Sequence, residues 1–309
     1  MLRYLNLVLI AFLILLSSCF TGIESTKKIG MSREDKKNTA PTQEEIYFSG
    51  IRGTPLVEWE GGRKFIASDD KALLIFVPQG VSSATENSIK GKELSFIGIE
   101  SKVNAAAQLT VVLVFGDGNS FYAYDTGKEF DEAMNNVTSA DIPMLIDEQM
   151  VEEARKKLLD KQFWTRSSLW YDENGERIGG KKYVPVTITE VEPGNMIFPL
   201  RLRISDGSGG TAYMFMNFGN SDTESRAFHN LFFLTDIRKN YPAVEEETWN
   251  FISAGKVKYG MTKEECKLAL GNPTDVNSGH DYSQTLDIWN YEDGTVLWFE
   301  DGRLTRFRQ

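Results

Sequence analysis

The stretch Gly260–Pro273, which reads GMTKEECKLALGNP, predicts a short helix with a signal at each end. Thr262 and Glu265 have the spacing of a capping box, in which each side chain satisfies a backbone N–H of the first turn. Gly271 suits the left-handed residue that follows a helix, and Pro273 cannot continue one. Because a helix of about two turns is unstable alone in water, its apolar side must pack on another element.

The residues that follow this helix predict an antiparallel sheet. Strand-like runs cover Asp287–Tyr291, Thr295–Glu300 and Arg303–Phe307. Glu292-Asp293-Gly294 and Asp301-Gly302 separate these runs, and Asp-Gly is a strong signal for a tight hairpin turn. The C-terminal part of the chain is therefore predicted to be a helix packed on an antiparallel meander.

The motifs of this region follow one another in a distinctive order. They are Gly260–Glu265, Leu270–Pro273, Trp289-x-Tyr291, Leu297-x-Phe299 and Asp301-Gly302-x-Leu304. In that order they resemble the SmpA/OmlA family of small outer-membrane lipoproteins, which are BamE-like and share a β-lactamase-inhibitor-like fold. The resemblance covers residues 250–309, and the middle of the chain carries no such resemblance. It implies a scaffold that binds other proteins without catalysis.

Residues 1–18, which precede Cys19, resemble a bacterial lipoprotein signal peptide. Arg3 supplies the positive charge, Leu7–Leu16 is an unbroken apolar run, and Leu16-Ser17-Ser18-Cys19 resembles a lipobox. The apolar run is too short to span a bilayer, which takes about 20 residues. The lipobox implies cleavage after residue 18 and acyl chains on Cys19, which would anchor the protein to the outer membrane on its periplasmic or cell-surface face. An ordinary secretory signal with a chance cysteine is the alternative.

The remainder of the chain divides into a tether and two β-rich regions. Residues 19–45 are polar and poor in aromatic side chains, so we expect a disordered tether. Short β-branched or aromatic runs fill residues 46–143, and similar runs follow a helical pattern at Met144–Leu159 within residues 144–241. The predicted fold class is α+β, with two small β-rich domains followed by a C-terminal helix-on-antiparallel-sheet module at residues 250–309.

The two β-rich regions have patterns that suggest an internal duplication. Lys90–Phe96, Val112–Gly118 and Tyr122–Tyr124 parallel Leu158–Trp164, Leu202–Gly207 and Ala212-Tyr213. Two unrelated β domains are the alternative.

Few side chains suit catalysis or metal binding. The two histidines, His229 and His280, lie in unrelated contexts, and Cys266 lies in the apolar stripe of the predicted helix. The net charge of −10 argues against a nucleic-acid partner, which needs a basic patch. We therefore predict a non-enzyme without cofactor or metal. A hydrolase remains an alternative, because a carboxylate pair formed in space is invisible among 44 acidic residues.

The outer face of the C-terminal sheet is the predicted contact surface. The aromatic and apolar residues of the family motifs are predicted to face the helix: Trp289, Tyr291, Leu297 and Phe299. The period of two places four others on the opposite face: Trp298, Val296, Asn290 and Glu300. Either an envelope protein partner or the preceding domain should cover Trp298. The predicted function is a non-catalytic scaffold for protein–protein interaction at the outer membrane.

A second group of aromatic residues lies in the middle of the chain. It comprises Phe163, Trp164, Trp170 and Tyr171. These rings could stack on a glycan or another small ligand, or they could form a core. The alternative function is therefore a surface glycan- or ligand-binding lipoprotein.

Overall fold

The computed structural model describes residues 40–77, 88–104, 107–135, 142–207, 209–218, 226–281 and 284–309, without the side chains of residues 280, 281 and 284. Thr42–Gln309 forms one compact unit. The predicted signal peptide, Cys19 and the tether as far as residue 39 lie outside the described ranges. Within those ranges, the structure has no helix with the length and hydropathy needed to cross a bilayer.

The architecture is α+β, as predicted. Two small β-rich domains are followed by a module in which helices pack on an antiparallel sheet. The α-helices are α1 (Gln43–Phe48), α2 (Phe130–Asn135), α3 (Glu148–Leu158), α4 (Phe228–Leu231), α5 (Glu246–Ser253) and α6 (Lys263–Leu270). Short 3-10 helices cover Leu56–Glu58, Asp70–Leu74 and Ile237–Asn240.

The first sheet has its core on one face. Its strands are β1 (Lys64–Ala67), β2 (Phe76–Val77), β3 (Glu93–Val103), β4 (Leu109–Gly116), β5 (Phe121–Glu129) and β6 (Leu145–Asp147). They lie in the order β2-β5-β4-β3-β1-β6, with neighbouring strands antiparallel. Apolar side chains at alternating positions, such as Leu94 and Phe96 on β3, are buried in this core. Helix α2 packs on β4 and β5.

The second sheet is covered on one face by α1, α3 and α4. Its strands are β7 (Gln162–Thr165), β8 (Leu169–Tyr171), β9 (Arg177–Gly179), β10 (Pro185–Pro193), β11 (Leu200–Ser205), β12 (Thr211–Met216) and β13 (Phe232–Phe233). They lie in the order β13-β7-β10-β11-β12-β8-β9, again antiparallel. Helix α3 packs on β10 through a buried stripe that includes Val151, Ala154 and Leu158.

The two sheets have matching connectivity. In the first sheet, the meander β3-β4-β5 lies between the earlier strand β1 and the short strand β2. In the second sheet, the meander β10-β11-β12 lies in the same way between β7 and β8. A later strand (β6 or β13) completes each sheet beside the earlier one. The first meander pair carries a bulge in both sheets, between Phe96 and Gly98 and between Ile188 and Glu190. This correspondence supports the duplication, which remains a prediction.

The matching strands differ in part from those paired by sequence pattern. The pattern matched Lys90–Phe96 with Leu158–Trp164, whereas the connectivity matches β3 with β10. The sequence pattern did not separate β7 from β10, because these neighbouring strands have the same apolar alternation. The backbone just before β3 also has the same conformation and hydrogen bond as the backbone just before β10. Gly91 and Tyr183 both have positive φ, and their N–H groups donate to the carbonyls of Ala67 and Thr165.

The predicted disordered tether, residues 19–45, extends too far along the chain. Residues 43–45 begin helix α1 instead. Thr42 accepts a hydrogen bond from the Glu45 N–H (3.2 Å), and the Glu45 carboxylate accepts one from the Thr42 N–H. Phe48 is buried against Phe228, with ring centroids 5.7 Å apart. Helix α1 therefore belongs to the core of the second sheet, although the first domain was predicted to begin at residue 46.

The boundary between the β-rich domains also differs from the predicted one. Residues 145–147 were assigned to the second domain, but they form β6 and pair with β1 of the first sheet. Met144 has a φ of 65°, so the chain turns there and cannot continue a helix. Helix α3 begins at Glu148, where Asp147 accepts a hydrogen bond from the Gln149 N–H (3.0 Å).

The C-terminal module has the predicted helix on an antiparallel meander, together with a strand and a helix that were not predicted. Its strands β14 (Asp275–Asp281), β15 (Gln284–Asn290), β16 (Val296–Glu300) and β17 (Arg303–Arg308) lie side by side in chain order. Helix α6 has the predicted capping box between Thr262 and Glu265, and Gly271 follows it at φ 89°. The module was predicted to start at residue 250, but helix α5 begins four residues earlier, at Glu246. The burial of Trp249 in the module core accounts for that difference.

The second domain holds this module by the carboxyl ends of α5 and α6. The Lys182 N–H donates to the carbonyl of Ser253 (2.9 Å), and its Nζ donates to the carbonyl of Ala269 (2.9 Å). The Tyr183 hydroxyl donates to the carbonyl of Leu268 (3.0 Å). Because the last carbonyls of a helix have no partner within it and carry partial negative charge, these contacts satisfy both helix ends.

Candidate functional site

The four predicted contact residues lie together on the face of the C-terminal sheet that points away from α5 and α6. On β16, Leu297 and Phe299 are buried beneath the helices, whereas Val296 and Trp298 are half-buried and Glu300 is exposed. Asn290 of β15 is paired with Val296, so it lies on the same face. We call this surface the module outer face; it comprises Trp298, Val296, Asn290, Glu300, Ile288, Arg306 and Arg308.

The centre of the module outer face is an aromatic side chain stacked with an arginine. Ile288, Trp298 and Arg306 lie side by side on β15, β16 and β17. The guanidinium carbon of Arg306 is 4.9 Å from the centre of the Trp298 ring. The half-buried ring of Trp298 therefore lies beside a cation. Tryptophan and arginine are both enriched at the centres of protein interfaces.

Arginines give the module outer face a positive character that the sequence reasoning missed. Arg306 is paired with Trp298, and Arg308 is paired with Val296. Both side chains are exposed, and no described carboxylate lies within ion-pair distance of either. Arg306 lies in the predicted strand Arg303–Phe307 and Arg308 one residue beyond it, and their spacing of two residues was the signal that could have revealed a shared face. A local basic surface thus occurs on a chain of net charge −10.

The aromatic group predicted in the middle of the chain is divided between the two faces of the second sheet. Phe163 and Trp170 are 3% and 6% exposed and belong to the core. Trp164 and Tyr171 are half-buried. Neighbouring residues on a strand point to opposite faces, so these four rings cannot form one stacking surface. Tyr171 instead lies near Phe215, with ring centroids 5.1 Å apart.

A polar cleft beside the first sheet bears on the alternative that the protein is a hydrolase. The cleft has a volume of about 710 Å³ and lies between residues 54–64 and helix α3. Its carboxylates are Glu58, Glu60, Glu148, Glu152 and Glu153. Basic groups are close by, since Arg155 pairs with Glu152, and Arg63 on the cleft wall pairs with Asp147. This arrangement is a solvated surface of mixed charge, unlike the water-excluded carboxylate pair of a glycosidase.

Cys266 lies in the module core, and the described residues form no metal-binding cluster. Cys266 is fully buried on α6, and burial raises the pKa of its thiol to about 12. In the described ranges, no group of three or more His, Cys, Asp or Glu residues is arranged to hold a metal ion. His229 lies on α4, and the side chain of His280 is outside the described part of the structure.

The buried thiol leads to a prediction for chemical modification. In a Cys19→Ala variant, Cys266 is the only thiol, and we expect it to react with a thiol reagent at pH 8 roughly a thousandfold more slowly than an unperturbed cysteine. Unfolding in urea should restore the normal rate, because the thiolate then forms freely in water. The measurement is the rate of colour release from Ellman's reagent. Equal rates for the native and unfolded protein would show that Cys266 is accessible.

Comparison with known proteins identifies no relative of this chain: no family model, curated protein or solved structure matches it. The resemblance of residues 250–309 to the SmpA/OmlA family therefore stays a prediction.

Proposed function

We propose that this chain is a bacterial envelope lipoprotein, anchored to the outer membrane through acyl chains on Cys19, that acts as a non-catalytic scaffold. In this proposal the module outer face binds an envelope protein partner. The observation that carries it is the position of Trp298, which lies with Arg306 on the one face of the C-terminal sheet that its helices leave open. Tryptophan and arginine are the residues that most often dominate binding energy at protein interfaces.

The packing of the module supports the same function. The side of the sheet opposite Trp298 is fixed by a core that includes Trp289, Leu297 and Phe299. Lys182 and Tyr183 hold the helix ends from the second domain. A contact surface that is ordered before binding loses less entropy when a partner docks, so a small face can reach useful affinity.

The charges on this face indicate what kind of partner surface fits. Arg306 and Arg308 are exposed and lack a described carboxylate partner, so an acidic partner surface would be attracted to them. Such complementarity raises the association rate and weakens with added salt. The partner is therefore proposed to present carboxylates around an apolar depression that receives the Trp298 ring.

Replacing Trp298 with alanine tests this function. The tagged wild-type protein is purified from membranes, its partner is identified, and the Kd of the purified pair is measured. We expect Trp298→Ala to raise this Kd by about thirtyfold or more, because truncating a central interface residue costs at least ~2 kcal/mol. Thermal unfolding of the variant should stay close to that of the wild type, because the lost ring packs on the open face.

Phe121→Ala is the matched control, since Phe121 is an exposed aromatic residue on β5 of the first sheet. This variant should bind the partner with the wild-type Kd. The scaffold function through this face would be refuted if Trp298→Ala bound like the wild type, or if both variants lost binding equally.

A further inference from the structure

The second sheet has an open face that carries arginines and aromatic rings. Helices α1, α3 and α4 cover its other side, where the apolar residues of β11 and β12 are buried. The intervening residues on these strands point to the open face: Arg201, Arg203, Tyr213 and Phe215. Tyr171 of β8 is paired with Tyr213 and so lies on that face as well.

Arg226 adds a buried cation beside this face. The residue is only 8% exposed, and its guanidinium carbon lies 4.9 Å from the ring centre of Phe198 and 5.5 Å from that of Tyr171. Its Nη2 donates to the Tyr171 hydroxyl at 2.6 Å. Its Nη1 is buried and has no hydrogen-bond acceptor. No carboxylate among the described residues forms an ion pair with it, so a charge that burial makes costly is left partly unsatisfied.

The other arginines of the open face differ from Arg226. Arg201 lies 3.6 Å from the Glu192 carboxylate and also donates to the carbonyl of Glu173 at 2.6 Å. Arg203 lies 3.6 Å from the Glu190 carboxylate. Each of these cations has an anionic neighbour, whereas Arg226 has rings and one hydroxyl. Among the described residues, no carboxylate serves as the anion of the Arg226 site.

We propose that Arg226 is the anion-binding residue of a ligand site for a carboxylate carried on a ring. One carboxylate oxygen accepts a hydrogen bond from Nη1, the donor that is free in the structure. The attached ring packs against the faces of Tyr171 and Phe215, whose planes meet at 75° and form a corner. Arginine suits this task because its charge is permanent and its N–H groups match carboxylate geometry. A uronic acid sugar and an aromatic acid share this chemistry.

Access to the site passes the ring of Phe198. Nη1 is shielded from water, and the Phe198 ring lies against the guanidinium, so the ligand reaches Nη1 by displacing that ring. Phe198 belongs to the connection between β10 and β11, where Met196 and Ile197 are exposed and do not anchor the loop in a core. Truncating Phe198 should therefore open the site and speed association.

Calorimetric titration of the purified protein with sodium glucuronate and with sodium benzoate tests the proposal, and glucose serves as the uncharged control. We expect one or both acids to bind and glucose not to bind. Arg226→Met should weaken the binding by about ten- to a hundredfold, the range for losing a charge-assisted hydrogen bond. Arg201→Met, on the same face but paired with Glu192, should leave Kd within a factor of about three. Binding of glucuronate alone would indicate a sugar acid as the ligand, and binding of benzoate alone would indicate an aromatic acid.

A melting measurement without ligand separates binding from a structural role of Arg226. In a binding site, Arg226→Met removes an unsatisfied buried cation, so its Tm should equal or exceed that of the wild type. A clear fall in Tm would show that Arg226 stabilises the fold instead. The proposal would also be overturned if neither acid bound the wild type or the open Phe198→Ala variant at millimolar concentration. The site does not depend on Trp298, so either outcome leaves the scaffold function untouched.

Discussion

Replacing Cys19 with alanine is expected to move the protein from the membrane fraction of its cells to the soluble fraction. In the proposed lipoprotein, the diacylglycerol is attached to the thiol of Cys19, the last residue of the lipobox-like sequence Leu16-Ser17-Ser18-Cys19. Each buried CH₂ of an acyl chain contributes ~0.8 kcal/mol to membrane binding, and several chains together hold a protein on the bilayer where one would not. Loss of the thiol removes all of this anchorage at once. Ultracentrifugation of cell extracts and metabolic labelling with a palmitate analogue measure the effect.

Cys266→Ala provides the matched control for this experiment, because Cys19 and Cys266 are the two cysteines of the chain. Cys266 is buried in the module core, so its variant should keep both the label and the membrane localisation. A wild-type protein without label would refute the lipoprotein function. A Cys19→Ala protein that still sediments with membranes after a high-salt wash would refute anchorage by acylation.

The parts of the fold that could be predicted from sequence are those whose signals are local. Thr262, Glu265 and Gly271 fix both ends of α6 within ten residues of each other, and the structure has the helix with those caps. The alternation along β16 likewise placed Leu297 and Trp298 on opposite faces, because side chains on a strand alternate with a period of two.

The parts that sequence reasoning missed depend on distant residues. Helix α1 has the same capping box as α6, but it is short, and its stability depends on packing of Phe48 against Phe228. Strand β14 is polar and contains Gly279, and it becomes a strand through its pairing with β15. Propensity is weak in both segments, so tertiary contacts decide their structure.

The candidate sites show the same division between local and distant signals. The residues of the module outer face come mostly from consecutive strands, so a period of two was sufficient to group them. The Arg226 site combines Tyr171 of β8, Phe198 of the connection between β10 and β11, and Arg226 of the segment before α4. No spacing in the sequence links those residues, and the missing acceptor of Nη1 is a property of the folded chain alone.

Replacing Trp289 with alanine is expected to unfold the C-terminal module. Trp289 is 4% exposed and lies in the module core, with its ring 4.7 Å from that of Phe299. Truncating a buried tryptophan removes its transfer free energy and leaves a cavity, which together cost about 3–5 kcal/mol. Because domains are stable by only ~5–15 kcal/mol, the loss is a large fraction of the free energy that holds the module together. Urea unfolding followed by circular dichroism, with limited proteolysis of residues 246–309, measures this effect.

Trp298→Ala is the control within the same sheet, because Trp298 and Trp289 lie on opposite faces of neighbouring strands. The Trp298 ring is half-buried on the open face, so its removal should cost less than about 1.5 kcal/mol and leave the module resistant to protease. The two variants should then lose partner binding for different reasons, Trp289→Ala through unfolding and Trp298→Ala through the missing contact. Equal destabilisation by the two substitutions would contradict the strand register, and with it the assignment of Trp298 to a surface free to bind a partner.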